Sequence, residues 1–554
     1  MLRKFVFTLP LFWCLIQVNG VLSQRLSEGP QVLSFHSEAD DTDQPYAIFL
    51  PGDFDETKRY PLVIMLHGAG SNHRLALKRV FGKSNEGDET DVEASRYFQE
   101  WESVDYIVAA PYARGTAGYQ GIPEQDVYAV LDDVKERFTI DENRIYLTGL
   151  SMGGGGTLWL GLTKPDIWAA IAPVCPAPPQ GSQELAPNAQ HLPVHFFHGD
   201  ADPVVPISGT RDWVDRLQQL GVQVYLEEYE GVAHDSWENA YDGGRIFEWL
   251  GQFERNPYPD KVHHVAKHLK YGKAFWVAIS SIAPGETATI KVSFAEDGVL
   301  QAECDGIFAF ELDLTGHPKS KDEMKLNIEG KELAFRSGDP TLVSKDGAGN
   351  WAIGKDKPQN RTKRVGQEGP VYDAFSSRHV YVYGTSDDPG DEILESRKRL
   401  AEEAAYWSRY RGEFLGRIMF FPRVLADNQV RKSDMEEANL ILFGDASSNS
   451  IIKNMEDKLP MKLKDESGKK GLLYVYPKEK GYVVINEGAA WWEIDKAQGY
   501  RFLSPIHQNL SQFKDFQLYD TENGEMLHEG YFDNNWKIQE EDKDSLSELG
   551  ILSY

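Results

Sequence analysis

Arg144-Ile145-Tyr146-Leu147-Thr148-Gly149-Leu150-Ser151-Met152-Gly153 decides how the chain folds: an apolar, strand-like run passes through a Gly-x-Ser-x-Gly turn and continues into a helical segment, Gly153 to Thr163. Small residues at both ends of such a turn let the backbone swing sharply from strand to helix. The serine hydroxyl is then left exposed at the apex, where a base and a substrate carbonyl can both approach it. Ser151 is the predicted nucleophile. The same five residues in a glycine-rich chain also read as a plain tight turn, and the residues that follow decide between the two.

A serine hydroxyl is a weak nucleophile near neutral pH, so acyl transfer needs a base to take its proton and an acid to orient that base. Downstream, Val194-His195-Phe196-Phe197-His198 has the pattern of a buried strand and runs into the breaker-rich turn Gly199-Asp200-Ala201-Asp202-Pro203-Val204-Val205-Pro206. Asp202 is the predicted acid. Asp200 lies closer to the strand end and is assigned to bonding the loop's own N–H groups. After one more helix and the strand Val222 to Tyr229, the loop Glu230-Gly231-Val232-Ala233-His234-Asp235-Ser236-Trp237 carries His234, the predicted general base. His67, His73, His195 and His198 precede the acid or sit on strands and are assigned structural roles.

Tyr60 to Leu66 reads as a buried strand ending in His67-Gly68-Ala69-Gly70-Ser71. Small residues there leave backbone N–H groups accessible. In the fold with this order of serine, acid and histidine, one oxyanion donor follows the nucleophile and a second comes from an early strand-end loop. The expected oxyanion donors are therefore the N–H groups of Met152 and Ala69.

Leu66-His67-Gly68, Gly149-Leu150-Ser151-Met152-Gly153, His198-Gly199-Asp200-Ala201-Asp202-Pro203-Val204-Val205-Pro206 and the Ala233-His234 loop resemble the secreted carboxylesterases and polyhydroxybutyrate-depolymerase-like esterases of the α/β-hydrolase superfamily. They are also similar to the catalytic domain of the prolyl oligopeptidase family. The motifs span Pro45 to Phe253, under half of the chain. The resemblance implies a serine hydrolase with Ser151, Asp202 and His234 as its triad, in agreement with the reading from order and context. It names no substrate.

The 554 residues are too many for one ordinary core, and 41% hydrophobic content supports globular packing throughout. With 58 Lys and Arg against 86 Asp and Glu the formal charge is −28, so the surface repels phosphate backbones and nucleic-acid binding is not expected. Arg3 and Lys4, the apolar run Phe5 to Val18 and the small polar residues after it read as a signal peptide over 1–23, which predicts export to a periplasmic or extracellular location. The run is short for a membrane span, and no later stretch qualifies. Cys175 and Cys304, in different predicted domains, give neither a disulfide framework nor paired zinc ligands, and no metal or cofactor is expected.

Near-continuous apolar strands, Asp105 to Ala110 and Ala169 to Cys175 among them, alternate with helical stripes such as Glu124 to Phe138. This predicts an α/β-hydrolase domain with a mostly parallel sheet over 24–255. Strand patterns separated by Pro-Gly and Asp-Gly turns predict a small β-sandwich over 258–335. Residues 336–368 read as linker and loops, 369–540 as a second, Rossmann-like α/β unit, and 541–554 as a polar tail. Gly384-Thr385 and Gly444 to Asn449 are turns after strands, but neither is a Gly-x-Gly-x-x-Gly loop. Trp491 and Trp492 read as packing residues. Through Gly369-Pro370-Val371-Tyr372-Asp373-Ala374-Phe375 and Asn439-Leu440-Ile441-Leu442-Phe443-Gly444 the C-terminal half resembles the accessory region after the hydrolase domain in some bacterial prolyl-oligopeptidase-like and esterase-like proteins.

Three functions fit the sequence: an exported esterase acting on acylated carbohydrates or small esters, a serine peptidase acting on short peptides, and a non-catalytic binding protein on a hydrolase scaffold. The complete set of catalytic residue types disfavours the last. Only a few dozen residues precede the first hydrolase strand, where an oligopeptidase usually carries a large propeller, so the esterase is expected. All the candidate catalytic residues lie between His67 and His234, which predicts that 24–255 alone holds the acyl-transfer apparatus.

Overall fold

Tyr60–Leu66, Ile107–Pro111 and Ala170–Val174 are buried at every position, and this explains their unbroken apolar sequences: each lies inside a sheet covered on both faces. In the computed structural model, which describes residues 27–346, 348–354, 362–409, 420–464, 467–493 and 505–553, they belong to an eight-stranded sheet. Its strands are β1 (Gly29–Ser37), β2 (Thr42–Leu50), β3 (Tyr60–Leu66), β4 (Ile107–Pro111), β5 (Ile140–Leu150), β6 (Ala170–Val174), β7 (Val194–Gly199) and β8 (Val224–Tyr229), in the order β1-β2-β4-β3-β5-β6-β7-β8. The β1–β2 and β2–β4 pairs are antiparallel and the others parallel. The predicted signal peptide lies outside the described residues.

Helices α1 (His73–Val80), α2 (Asp91–Ala94), α3 (Ile122–Arg137), α4 (Met152–Thr163) and α5 (Ile207–Gln219) connect these strands. The stripe predicted on α3 is its buried face, with Val127, Val130, Leu131 and Val134 all in the core. The helix starts two residues before the predicted Glu124, because Pro123 fits its first turn, where no N–H is required. The fold is a mostly parallel α/β-hydrolase sheet, as expected.

Two five-stranded sheets follow and enclose an apolar core that includes Ile290, Leu300, Phe310, Leu326 and Trp351. Here the predicted boundaries require correction. Thr341–Lys345 and Trp351–Ile353 are strands of this sandwich, within the stretch read as linker. Thr341 and Val343 alternate inward along the first of them, a period of two too short to stand out among the surrounding glycines and charges.

The C-terminal sheet has seven strands in the order Arg423–Ala426, His379–Tyr383, Asn439–Phe443, Tyr482–Glu487, Lys470–Pro477, Phe516–Asp520, Met526–Gly530. Its first four strands are parallel, so only this half is Rossmann-like; the Lys470–Pro477 and Tyr482–Glu487 pair is antiparallel, as are the pairings beyond it. The stretch read as a polar tail is ordered: helix Glu540–Glu548 buries Leu546, and Ile551–Ser553 pairs with Met461–Leu463. Trp491 is buried against the edge of Trp492, a packing pair as predicted.

The C-terminal core also encloses Ala39, Ala117 and Ile122 of the hydrolase region. The two units therefore share apolar packing.

Candidate active site

β5 ends in Leu150 and α4 begins at Met152, which leaves Ser151 alone to turn the chain, at φ 53° and ψ −115°. A non-glycine residue in this region is strained by roughly 1–3 kcal/mol and persists only where its surroundings hold it. Ser151 is held by its own N–H to the Val174 carbonyl (2.9 Å) and by its carbonyl, which accepts from Gly155 and Ala177 N–H groups (2.9 and 3.1 Å). The flanking glycines are required by close backbone approach. A Cβ on Gly149 would lie 2.5 Å from the Gly153 carbonyl oxygen, and one on Gly153 would lie 2.2 Å from that of Leu66.

The three predicted side chains come together. His234 Nε2 lies 2.9 Å from Ser151 Oγ, and His234 Nδ1 lies 2.7 Å from Asp202 Oδ2. A carboxylate facing Nδ1 only accepts, so the ring proton sits on Nδ1, and Nε2 carries the lone pair that receives the serine hydroxyl. Trp237 stands edge-on to the imidazole with ring centres 5.5 Å apart.

The side chain of Asp202 is fully buried. Burial would raise its carboxyl, but the bond from His234 and those from the Val205 and Val204 N–H groups, at 2.9 and 2.8 Å, hold it below its usual range. Asp200, the competitor, instead accepts from the Gly231 N–H at 2.7 Å and takes no part in this chain of bonds.

The strand-end turn after β3 lies beside the serine. Gly70 donates its N–H to Thr116 Oγ1 (2.9 Å), and Ser71 donates to the Gly68 carbonyl (3.2 Å). Among the described residues no hydrogen bond takes up the N–H of Ala69 or that of Met152. Backbone N–H groups without a partner near a nucleophile are the kind of donor that can stabilise negative charge developing on a substrate oxygen.

His198 is the contributor that the sequence reading placed only as structural. Its Nε2 faces the Val205 carbonyl (2.9 Å) and Asp202 Oδ2 (3.2 Å). Both are acceptors, so Nε2 carries the proton and Nδ1 accepts from the Thr210 hydroxyl at 2.8 Å. Burial pushes its pKa down and keeps the ring neutral. Its place four residues before Asp202 was the available signal. His67, also assigned a structural role, is buried between the Gly68 and Tyr112 carbonyls, each 2.8 Å from a ring nitrogen.

Cys175, Asp202 and His234 also bring one donor atom each within 4.8 Å of one another. Burial pushes the Cys175 thiol up to about 12. Within this group Asp202 and His234 are already bonded to each other at 2.7 Å.

The sequence profile of the Phospholipase/Carboxylesterase family matches residues 124–242. Among curated proteins, the chain is 26% identical over 203 residues to a probable feruloyl esterase C of Aspergillus oryzae, covering 35% of this chain and 67% of that protein. It is 29% identical over 162 residues to the putative esterase NocK of Nocardia uniformis subsp. tsuyamanensis, covering 27% and 42%. It is 32% identical over 125 residues to cutinase 2 of Thermobifida cellulosilytica, covering 22% and 45%. The match thus spans less than half of the last two relatives. A solved thermostable esterase is 28% identical, with a TM-score of 0.34 over 41% of this chain and 63% of that one. The chain is a serine hydrolase with the α/β-hydrolase fold.

Proposed function

We propose that the chain hydrolyses carboxylic esters through an acyl-enzyme intermediate, with acylated carbohydrates or small esters as its substrate class. In this reading His234 Nε2 takes the proton as Ser151 Oγ attacks the carbonyl carbon. Asp202 stabilises the resulting imidazolium. The N–H groups of Met152 and Ala69 receive the charge on the carbonyl oxygen. His234 then returns its proton to the departing alcohol, and a water activated by the same nitrogen releases the acid. No metal or cofactor enters these steps.

The observation that carries the proposal is the unbroken chain Ser151 Oγ–His234 Nε2 and His234 Nδ1–Asp202 Oδ2, at 2.9 and 2.7 Å. The esterase preference is supported by the family profile over residues 124–242, a range that contains Ser151, Asp202 and His234, and by the names of the curated relatives. Export is inferred from the basic and apolar leader at 1–23.

A panel of acetyl, feruloyl and longer acyl esters, assayed beside proline-containing peptides, tests the reading. Ester turnover exceeding peptide turnover by orders of magnitude is expected. Preferential cleavage of the peptides would replace the esterase with the prolyl oligopeptidase-like alternative.

A further inference from the structure

The donor turn His67–Gly70 is not held by β3 alone. Three bonds tie it to the loop that leaves β4. Gly70 N–H donates to Thr116 Oγ1 at 2.9 Å, Tyr119 Oη donates to the His67 carbonyl at 3.0 Å, and His67 Nε2 lies 2.8 Å from the Tyr112 carbonyl. Thr116 is 2% exposed. In this loop Ala113 and Arg114 stand successively at φ 43° and 62°, a strained conformation for residues that carry a Cβ, while Gly115, Gly118 and Gly121 take positive φ without that cost. Such a segment keeps one shape only if its neighbours impose it.

Part of that constraint comes from the hydrolase region. Arg114 is buried between Asp126 (2.6 Å) and Asp40 (2.7 Å) and donates to Ser37 Oγ (2.7 Å). The rest comes from the C-terminal α/β unit. Ala117 and Ile122 are buried in its apolar core, and the ring of Phe420 lies 5.9 Å from the Arg114 guanidinium. Gln125 donates to the Ser376 carbonyl at 2.8 Å. At Gly121 the two units approach so closely that a Cβ would lie 2.8 Å from Tyr372 Oη.

We propose that the loop 112–121 is a clamp through which the C-terminal α/β unit fixes the Ala69–Gly70 donor turn, with Thr116 as its positioning residue. This rests on the reading of Ala69 N–H as an oxyanion donor. The C-terminal half is then a working part of the active site, and the activity of 24–255 is not self-contained. Removing one oxyanion donor outright lowers kcat about 10²–10³-fold, so a donor that remains but is loosened falls short of that loss.

The test uses the full-length protein and a matched pair of a small activated ester and its thionoester, whose carbonyl sulfur is a poorer hydrogen-bond acceptor. Wild type is expected to favour the oxygen ester strongly. Thr116→Val is expected to lower kcat on the oxygen ester about tenfold, leave KM within about twofold and weaken the oxygen preference, while Thr116→Ser restores all three. Phe420→Ala combined with Gln125→Ala is expected to lower kcat at least about threefold, and adding Thr116→Val to that pair is expected to give less than the product of the two effects. A wild type indifferent to sulfur overturns the oxyanion reading, and the clamp with it. A discriminating wild type whose folded Thr116→Val variant keeps wild-type kcat and preference overturns the clamp alone. Wild-type kcat in the Phe420 and Gln125 double variant removes the C-terminal unit from the mechanism.

Discussion

His198 Nε2 lies 3.2 Å from the same Asp202 oxygen that accepts from His234 Nδ1, so the acid of the proposed triad is held by one histidine while it orients another. The arrangement is asymmetric. The His234 bond is shorter, at 2.7 Å, and His198 shares its single proton with the Val205 carbonyl.

His198→Ala is therefore expected to lower kcat about tenfold with little change in KM, since Asp202 keeps its bonds to Val204 and Val205 but loses its side-chain support. Steady-state kinetics on a small ester check this. An unchanged kcat in the folded variant would make His198 a packing residue only.

Asp202→Asn should lower kcat by about 10³–10⁴-fold, because the amide cannot stabilise the imidazolium and favours the wrong tautomer. Asp200→Asn, which affects only a loop bond, should do far less; the reverse ranking would move the acid to Asp200. The same variant carries a pH signature. Because the folded carboxyl of Asp202 is held below its usual range, it adds stability above the unfolded value of about 4, and that stability is lost as pH falls through the folded value. The stability advantage of wild type over Asp202→Asn should shrink between pH 6 and pH 3 in denaturant titrations. A gap that widens toward acid would contradict the assignment.

Gly153→Ala should destabilise the fold by about 3 kcal/mol or more, since its Cβ meets the Leu66 carbonyl of β3, a backbone atom that cannot move aside without shifting a central strand. Equilibrium unfolding measures this. Wild-type stability would mean that the elbow is looser than its contacts indicate.

The elbow, the order of Ser151, Asp202 and His234 and the buried strands were legible in the sequence because each is local. A glycine turn, a breaker-rich loop and an apolar run declare themselves within about ten residues. The choice of Asp202 over Asp200 followed from distance to the strand end. What the sequence concealed is long-range. Nothing near Thr116 announces that its hydroxyl meets Gly70, 46 residues earlier, and nothing near Ala117 that the C-terminal core covers it. The strands of 341–353 and the ordered segment 540–553 were missed for a related reason: short, charged stretches become structured only through partners distant in sequence. The expectation that 24–255 holds the whole acyl-transfer apparatus came from the positions of the catalytic candidates, which carry no information about what supports them.

The central claim is that Ser151 becomes acylated, and the direct measurement is mass-spectrometric mapping of the protein after reaction with a fluorophosphonate. The account predicts one adduct per chain, on Ser151, formed at a rate that collapses in His234→Ala, together with loss of ester turnover in a folded Ser151→Ala variant. An adduct on another serine, or undiminished turnover in Ser151→Ala, would contradict it.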